Sequence, residues 1–108
     1  MALNNNSLTA TTTTASGASA TATIAAVADK NYQIVGFDGS STDQPFTVTL
    51  IFGSTTKLTM NGPADAAVGR DFGDIGPIAG TNTAISVVCT PAASGNCTAN
   101  LIYKITTA

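Results

Sequence analysis

The sequence predicts an all-β protein: a single β-sandwich, jelly-roll-like, with an extended N-terminal arm. Three observations predict it. Residues 46–52, Phe46-Thr47-Val48-Thr49-Leu50-Ile51-Phe52, place large apolar residues at alternate positions with threonine between them, the period of a half-buried strand. Similar short runs recur along the chain between breaks rich in Gly, Pro, Asn and Asp, the pattern of a sandwich or barrel. No stretch carries a helical period with caps, and Ala64-Asp65-Ala66-Ala67 amounts to one helical turn at most.

Residues 1–20 form the arm. Asn4, Asn5 and Asn6 lead into Thr11 to Thr14 and then a run of Ala, Ser and Thr. Such a segment buries too little apolar area to offset its own ordering entropy. If ordered, it is expected to be held by a neighbouring subunit, with Leu3 and Leu8 as its anchors. Residues 21–108 form the domain. Strands are expected over 20–27 and 32–37, joined by the turn Asp29-Lys30-Asn31, with 38–45 as the next loop. Gly53-Ser54 turns the 46–52 strand into a returning one that carries Thr56, Leu58 and Met60 on its apolar face. Residues 61–82 hold five of the ten Gly and two of the four Pro. They read as an irregular excursion pinned by Val68, Phe72, Ile75 and Ile78. Two closing strands follow, one presenting Thr83, Ile85, Val87 and Cys89 on a face, the other Cys97, Ala99, Leu101, Tyr103 and Ile105. The loop between them contains Pro91 and Gly95.

Cys89 and Cys97 then fall at mirrored ends of a hairpin. Directly opposed strand residues are close enough for a disulfide, which on the chain-entropy model would contribute about 2–3 kcal/mol for so short a loop. Two reduced thiols packed as small apolar side chains are the other reading. A zinc site is not expected, since no His or third Cys exists to complete it.

Composition narrows the function classes. The chain has 108 residues, enough for one domain. Charged residues make up only 9% of it, against about 25% in typical domains. The three Lys, one Arg and six Asp leave a net charge of −2, and the mean hydropathy is +0.26. So little charge implies a surface covered by the 19 Thr, or one buried against partners. Nucleic acid is excluded for want of a basic patch, and a membrane for want of an apolar span or amphipathic anchor. The first ten residues lack a signal-peptide pattern, so a protein made and kept in the cytosol, or released by lysis, is expected.

Catalytic, cofactor and metal sites are not expected. Without His there is no common general base and no Ser-His-Asp or Cys-His arrangement. Asp71-Phe72-Gly73 spells a kinase tripeptide without the motifs that give it meaning. Asp65, Asp71 and Asp74 match no calcium-loop spacing. Asn5-Asn6-Ser7 and Asn96-Cys97-Thr98 match the glycosylation pattern, which has no use without a secretory route. What remains is apolar surface on the wrong face of its strand. Val35 and Phe37 oppose Tyr32 and Ile34, Ile51 opposes the Phe46 face, and Ile102 opposes Leu101. Either loops cover these residues or they form a subunit interface; the interface is the expectation.

The order of signals from Thr21 to Thr106 resembles small trimeric β-sandwich proteins that decorate tailed-phage capsids, also called cement proteins. The opening pair of strands is carried by Ala22-Thr23-Ile24-Ala25-Ala26-Val27, the turn Asp29-Lys30-Asn31, and Tyr32-Gln33-Ile34-Val35-Gly36-Phe37. The closing half is carried by Ile75-Gly76-Pro77-Ile78, residues 83–88, and Thr98-Ala99-Asn100-Leu101-Ile102-Tyr103. The resemblance implies a homotrimer on the virion surface that bridges subunits of the major capsid protein. The cysteine pair and the Thr/Ala arm have no counterpart in that pattern. The rival expectations are a pilin-like filament subunit and a receptor- or glycan-binding surface module.

Overall fold

The computed structural model describes residues 8–13, 19–93 and 96–107. Among the described residues, nine strands run in the order β1 (Leu8–Thr13), β2 (Ala20–Ile24), β3 (Lys30–Ser41), β4 (Phe46–Phe52), β5 (Thr55–Gly62), β6 (Ala66–Asp71), β7 (Ile78–Ala79), β8 (Ile85–Pro91) and β9 (Cys97–Thr107). A 3₁₀ turn at Gly73–Ile75 separates β6 from β7. One sheet has the order β1-β9-β3-β6, with β7 also on β3; the other has the order β2-β8-β4-β5. Every pairing is antiparallel. Successive strands thus switch sheets repeatedly, and the result is a jelly-roll sandwich, as the sequence predicts. Below, the β1-containing sheet is the front sheet and the β2-containing one the back sheet.

The core lies between the sheets and follows the period-2 rule. Phe46, Val48, Leu50 and Phe52 of β4 are buried, with Ile85, Val87 and Cys89 of β8 beside them. Facing them are Tyr32, Ile34 and Phe37 of β3 and Cys97, Ala99 and Leu101 of β9. Tyr32 meets Tyr103 edge-on, with ring centroids 5.7 Å apart, and its hydroxyl donates to the carbonyl of Ala25 at 2.7 Å. That bond ties the β2–β3 connection to the core. Buried Ser41 closes the next turn: its Oγ accepts from the backbone N–H groups of Asp43 and Gln44 and donates to Asp43 Oδ1.

Several expectations are corrected. The 38–45 loop is shorter, because β3 continues to Ser41. Residues 61–82 are not wholly irregular: β6 pairs with β3 from Gly36↔Asp71 to Ser41↔Ala66. Of the four proposed pins, Val68 and Phe72 pack on the core, whereas Ile75 is 89% and Ile78 57% exposed. Thr83 precedes β8. Ile105 is also exposed, although it continues the Leu101 face. The stretch read as an arm contributes β1, which pairs with β9 of its own chain from Leu8↔Tyr103 to Thr13↔Thr98.

The cysteine hairpin does not form. β8 and β9 are consecutive in sequence but belong to opposite sheets. Cys89 pairs with Ala20 and Val48 in the back sheet, and Cys97 with Ser41 in the front sheet. Both thiols are free and buried, and they meet across the interior, side chain to side chain.

Candidate functional site

One irregularity in β3 decides where its side chains point. The pairing of β3 with β9 runs Ile34↔Tyr103 and then Gly36↔Ile102, leaving Val35 as an extra residue. Such a bulge inverts the alternation beyond it. Phe37 therefore faces the core, 3% exposed, and stacks at 6.2 Å on Phe72. It is not an interface residue as the alternation predicted. Val35 and Ile102 remain half-buried and sit together in a groove on the outer face of the front sheet. Ile51 is half-buried too, but on the back sheet, where a second register shift follows Leu50. Of the four candidate interface residues, two are thus brought together. Leu8 opens β1 opposite Tyr103; Leu3 lies outside the described residues.

The groove spans β3, β6 and β9 and holds about 520 Å³. Its floor exists because Gly69 has no side chain: a Cβ there would run into the carbonyl of Phe37 and into Asp38. A Cβ on Gly36 would lie 3.1 Å from the Arg70 carbonyl. Glycine at these two positions, one on each strand, lets β6 approach β3 closely. Val35 and Ile102 supply apolar walls, and Asp38, Arg70 and Asp71 supply charge. Asp38 is oriented by its cross-strand partner, since Asn100 Nδ2 donates to its Oδ1 at 2.7 Å. Asp71 Oδ1 accepts from the backbone N–H of Gly73 at 3.1 Å. Each carboxylate keeps a second oxygen able to accept, and the Arg70 guanidinium is a donor beside them.

A second cleft, of about 530 Å³, opens between the sheets at the β5 flank. It is lined by Leu50, Phe52, Leu58, Phe72, Ile75, Pro77 and Ile78. Lys57 is its charged lining residue, with Nζ 5.6 Å from the centre of the Phe52 ring.

The Cys89 thiol is poorly placed for chemistry. Burial, the adjoining Cys97 thiol and its charge push the Cys89 thiol up from its ordinary value of 9.0 to about 12, so it stays protonated near neutral pH and is not a nucleophile. Among the described residues, no three His, Cys, Asp or Glu side chains gather as a metal site. No helix among them is long and apolar enough to cross a membrane.

No family model and no curated protein matches this chain. Among solved structures, it is similar to the CBM36-1 domain of a multidomain xylanase from the hindgut metagenome of Trinervitermes trinervoides. The identity is 17%, the match covers 95% of this chain and 98% of that one, and the TM-score is 0.47.

Proposed function

We propose that this jelly-roll domain is a non-catalytic surface-binding module whose front-sheet groove takes a polyhydroxylated ligand of the glycan class. The observation that carries this reading is the Asp38–Asn100 pair, held at 2.7 Å beside the apolar side chains of Val35 and Ile102. A sugar ring presents vicinal hydroxyls along its edge and C–H groups on its faces. A fixed carboxylate with a free oxygen accepts from the hydroxyls, Arg70 donates to their oxygens, and the aliphatic walls cover a ring face. Sites of this kind combine an apolar lining with a few oriented polar groups. Aliphatic walls in place of an aromatic platform imply weak binding to one sugar unit, strengthened by several units or several copies. The test is a glycan array followed by NMR titration. Binding by the wild type should disappear in Asp38→Ala and weaken in Ile102→Ala. Shifts that avoid Val35, Asp38, Asn100 and Ile102, or an array with no hit, would refute the reading.

A second reading, a structural subunit that bridges neighbours on a capsid, draws on the exposure of Ile75 and Ile78 and on the low charge. In it, residues 1–7 contact a neighbouring chain and the copies sit as trimers on the major capsid protein. Co-sedimentation with capsids would support it, and loss of attachment on deleting residues 1–7 would assign the contact.

A further inference from the structure

The two flanks of the sandwich are finished differently. On the β5 side, the back-sheet edge carries Lys57 and a register shift between Leu50↔Leu58 and Ile51↔Thr56. The front-sheet edge there carries Arg70 and Asp71, and β7 covers part of β3. Charges and bulges at an edge are the usual protection against pairing with another chain. β2, the other back-sheet edge, has none of these. Its sequence, Ala20-Thr21-Ala22-Thr23-Ile24, has no charge and no proline. Its register on β8 runs unbroken from Ala20↔Cys89 to Ile24↔Ile85. Among the described residues, no strand pairs with its outer side.

We propose that β2 is a self-pairing edge, through which a second copy of this chain joins by antiparallel strand addition about a two-fold axis at Ala22. The occupant is a second copy because β2 is complementary to itself. Rotation about Ala22 sets residue 20 against 24 and residue 21 against 23. Buried Ala20, Ala22 and Ile24 then meet buried residues, and exposed Thr21 meets exposed Thr23. A one-residue slip would place core side chains against solvent-facing ones, and a two-residue slip would leave two of the five residues of each strand unpaired, so full overlap about Ala22 is the favoured register. No charge on either copy of the strand opposes another. Thr–Thr pairs across adjacent strands are favourable, and the joined back sheets form one continuous eight-stranded sheet. The contact is isologous and closes as a dimer. It uses neither Asp38 nor any other groove residue, so it stands apart from the ligand reading.

The experiment is sedimentation equilibrium on the full chain and two double variants. T21K/T23K puts Lys opposite Lys at both symmetry-related pairs and should weaken dimerisation by about tenfold or more. T21K/T23E puts Lys opposite Glu at both and should dimerise within about threefold of wild type. Both variants lose the same Thr23–Ser86 hydroxyl contact of 3.2 Å, so a folding defect would affect them alike. As a check on the wild type, backbone amides of β2 should exchange more slowly as protein concentration rises, while those of β5 should not. A wild type that stays monomeric, a dimer that survives T21K/T23K, loss of the dimer in both variants, or β2 exchange independent of concentration would each overturn the proposal.

Discussion

The outer faces of the two sheets have different chemistry. The back sheet presents Thr21, Thr23, Thr47, Thr49, Ser86 and Thr90, small hydroxylated residues that suit a strand and interact equally with water and with each other. Thr47 donates to Asn61 Oδ1 and Ser19 to Thr90 Oγ1, contacts that stay within the sheet. The front sheet presents Asp38, Asn100, Gln33 and Lys104, with Arg70 and Asp71 at its rim. Five charged residues lie on its strands (Lys30, Asp38, Arg70, Asp71 and Lys104) against Lys57 alone on the back sheet. A protein with so few charges keeps them where direction matters. The back sheet holds the shape and the front sheet holds the groove.

The core belongs to both sheets equally, and the largest effect should be blind to the difference. Leu50 of the back sheet and Leu101 of the front sheet are both fully buried. Leu50→Ala and Leu101→Ala should each cost about 2–5 kcal/mol in urea unfolding. A large cost for one and a negligible cost for the other would mean that the sheets do not share a single core. Close strand approach, in contrast, is particular to the front sheet. Gly69→Ala should destabilise by about 1–3 kcal/mol, because the new methyl meets the Phe37 backbone, which cannot yield as a flexible side chain would. The same change should narrow the groove and show as a loss of ligand-induced shifts at Asp38.

The cysteines join the two sheets through a pair of thiols buried in the core. The folded state raises the Cys89 pKa from 9.0 to about 12. Between those values the unfolded chain has released the thiol proton and the folded chain has not. Stability from this group is therefore complete below pH 9 and falls as pH rises toward 12. The slope is at most about 1.4 kcal/mol per pH unit. Cys89→Ala should flatten the alkaline limb of a stability-against-pH curve while lowering its plateau through lost packing. An unchanged limb would place the titration elsewhere.

Those cysteines also show where the sequence stopped being legible. Alternation identifies β4, β8 and β9 and the residues that β4 and β8 bury, and in β9 it fails only toward the end, where Tyr103 is half-buried and Ile105 exposed. It cannot say that β8 and β9 lie in different sheets, since strands consecutive in sequence pair by default and a jelly roll breaks that habit. The disulfide expected across a hairpin thus becomes two free thiols facing each other between sheets. β6 was illegible for a different reason: Ala66-Ala67-Val68-Gly69-Arg70-Asp71 has one large apolar residue, and its place in the sheet comes from backbone pairing and from a glycine that permits it. The groove was half legible. Val35 and Ile102 stood out as apolar residues on an outer face, but the bulge that separates Val35 from Phe37 leaves no mark in the alternation. Gly36, at the bulge, was the available signal. Asn100 was invisible until its pairing with Asp38 was seen.

The smallest expected effect sharpens the same contrast. Thr49 lies in the middle of β4, between Thr59 of β5 and Val88 of β8, on the outer face of the back sheet. If that face is only a β-forming surface, Thr49→Val keeps the branched shape, loses a hydroxyl for which water is the alternative partner, and gains an apolar neighbour for half-buried Val88. Unfolding free energy should move by no more than about 0.5 kcal/mol, and groove binding should not change. An exposed back face also becomes more apolar, so the same variant should bind a hydrophobic dye slightly more. A loss above about 1 kcal/mol, or a change in ligand affinity, would show that the threonine face takes part in specific contacts, and the division of labour between the sheets would have to be redrawn.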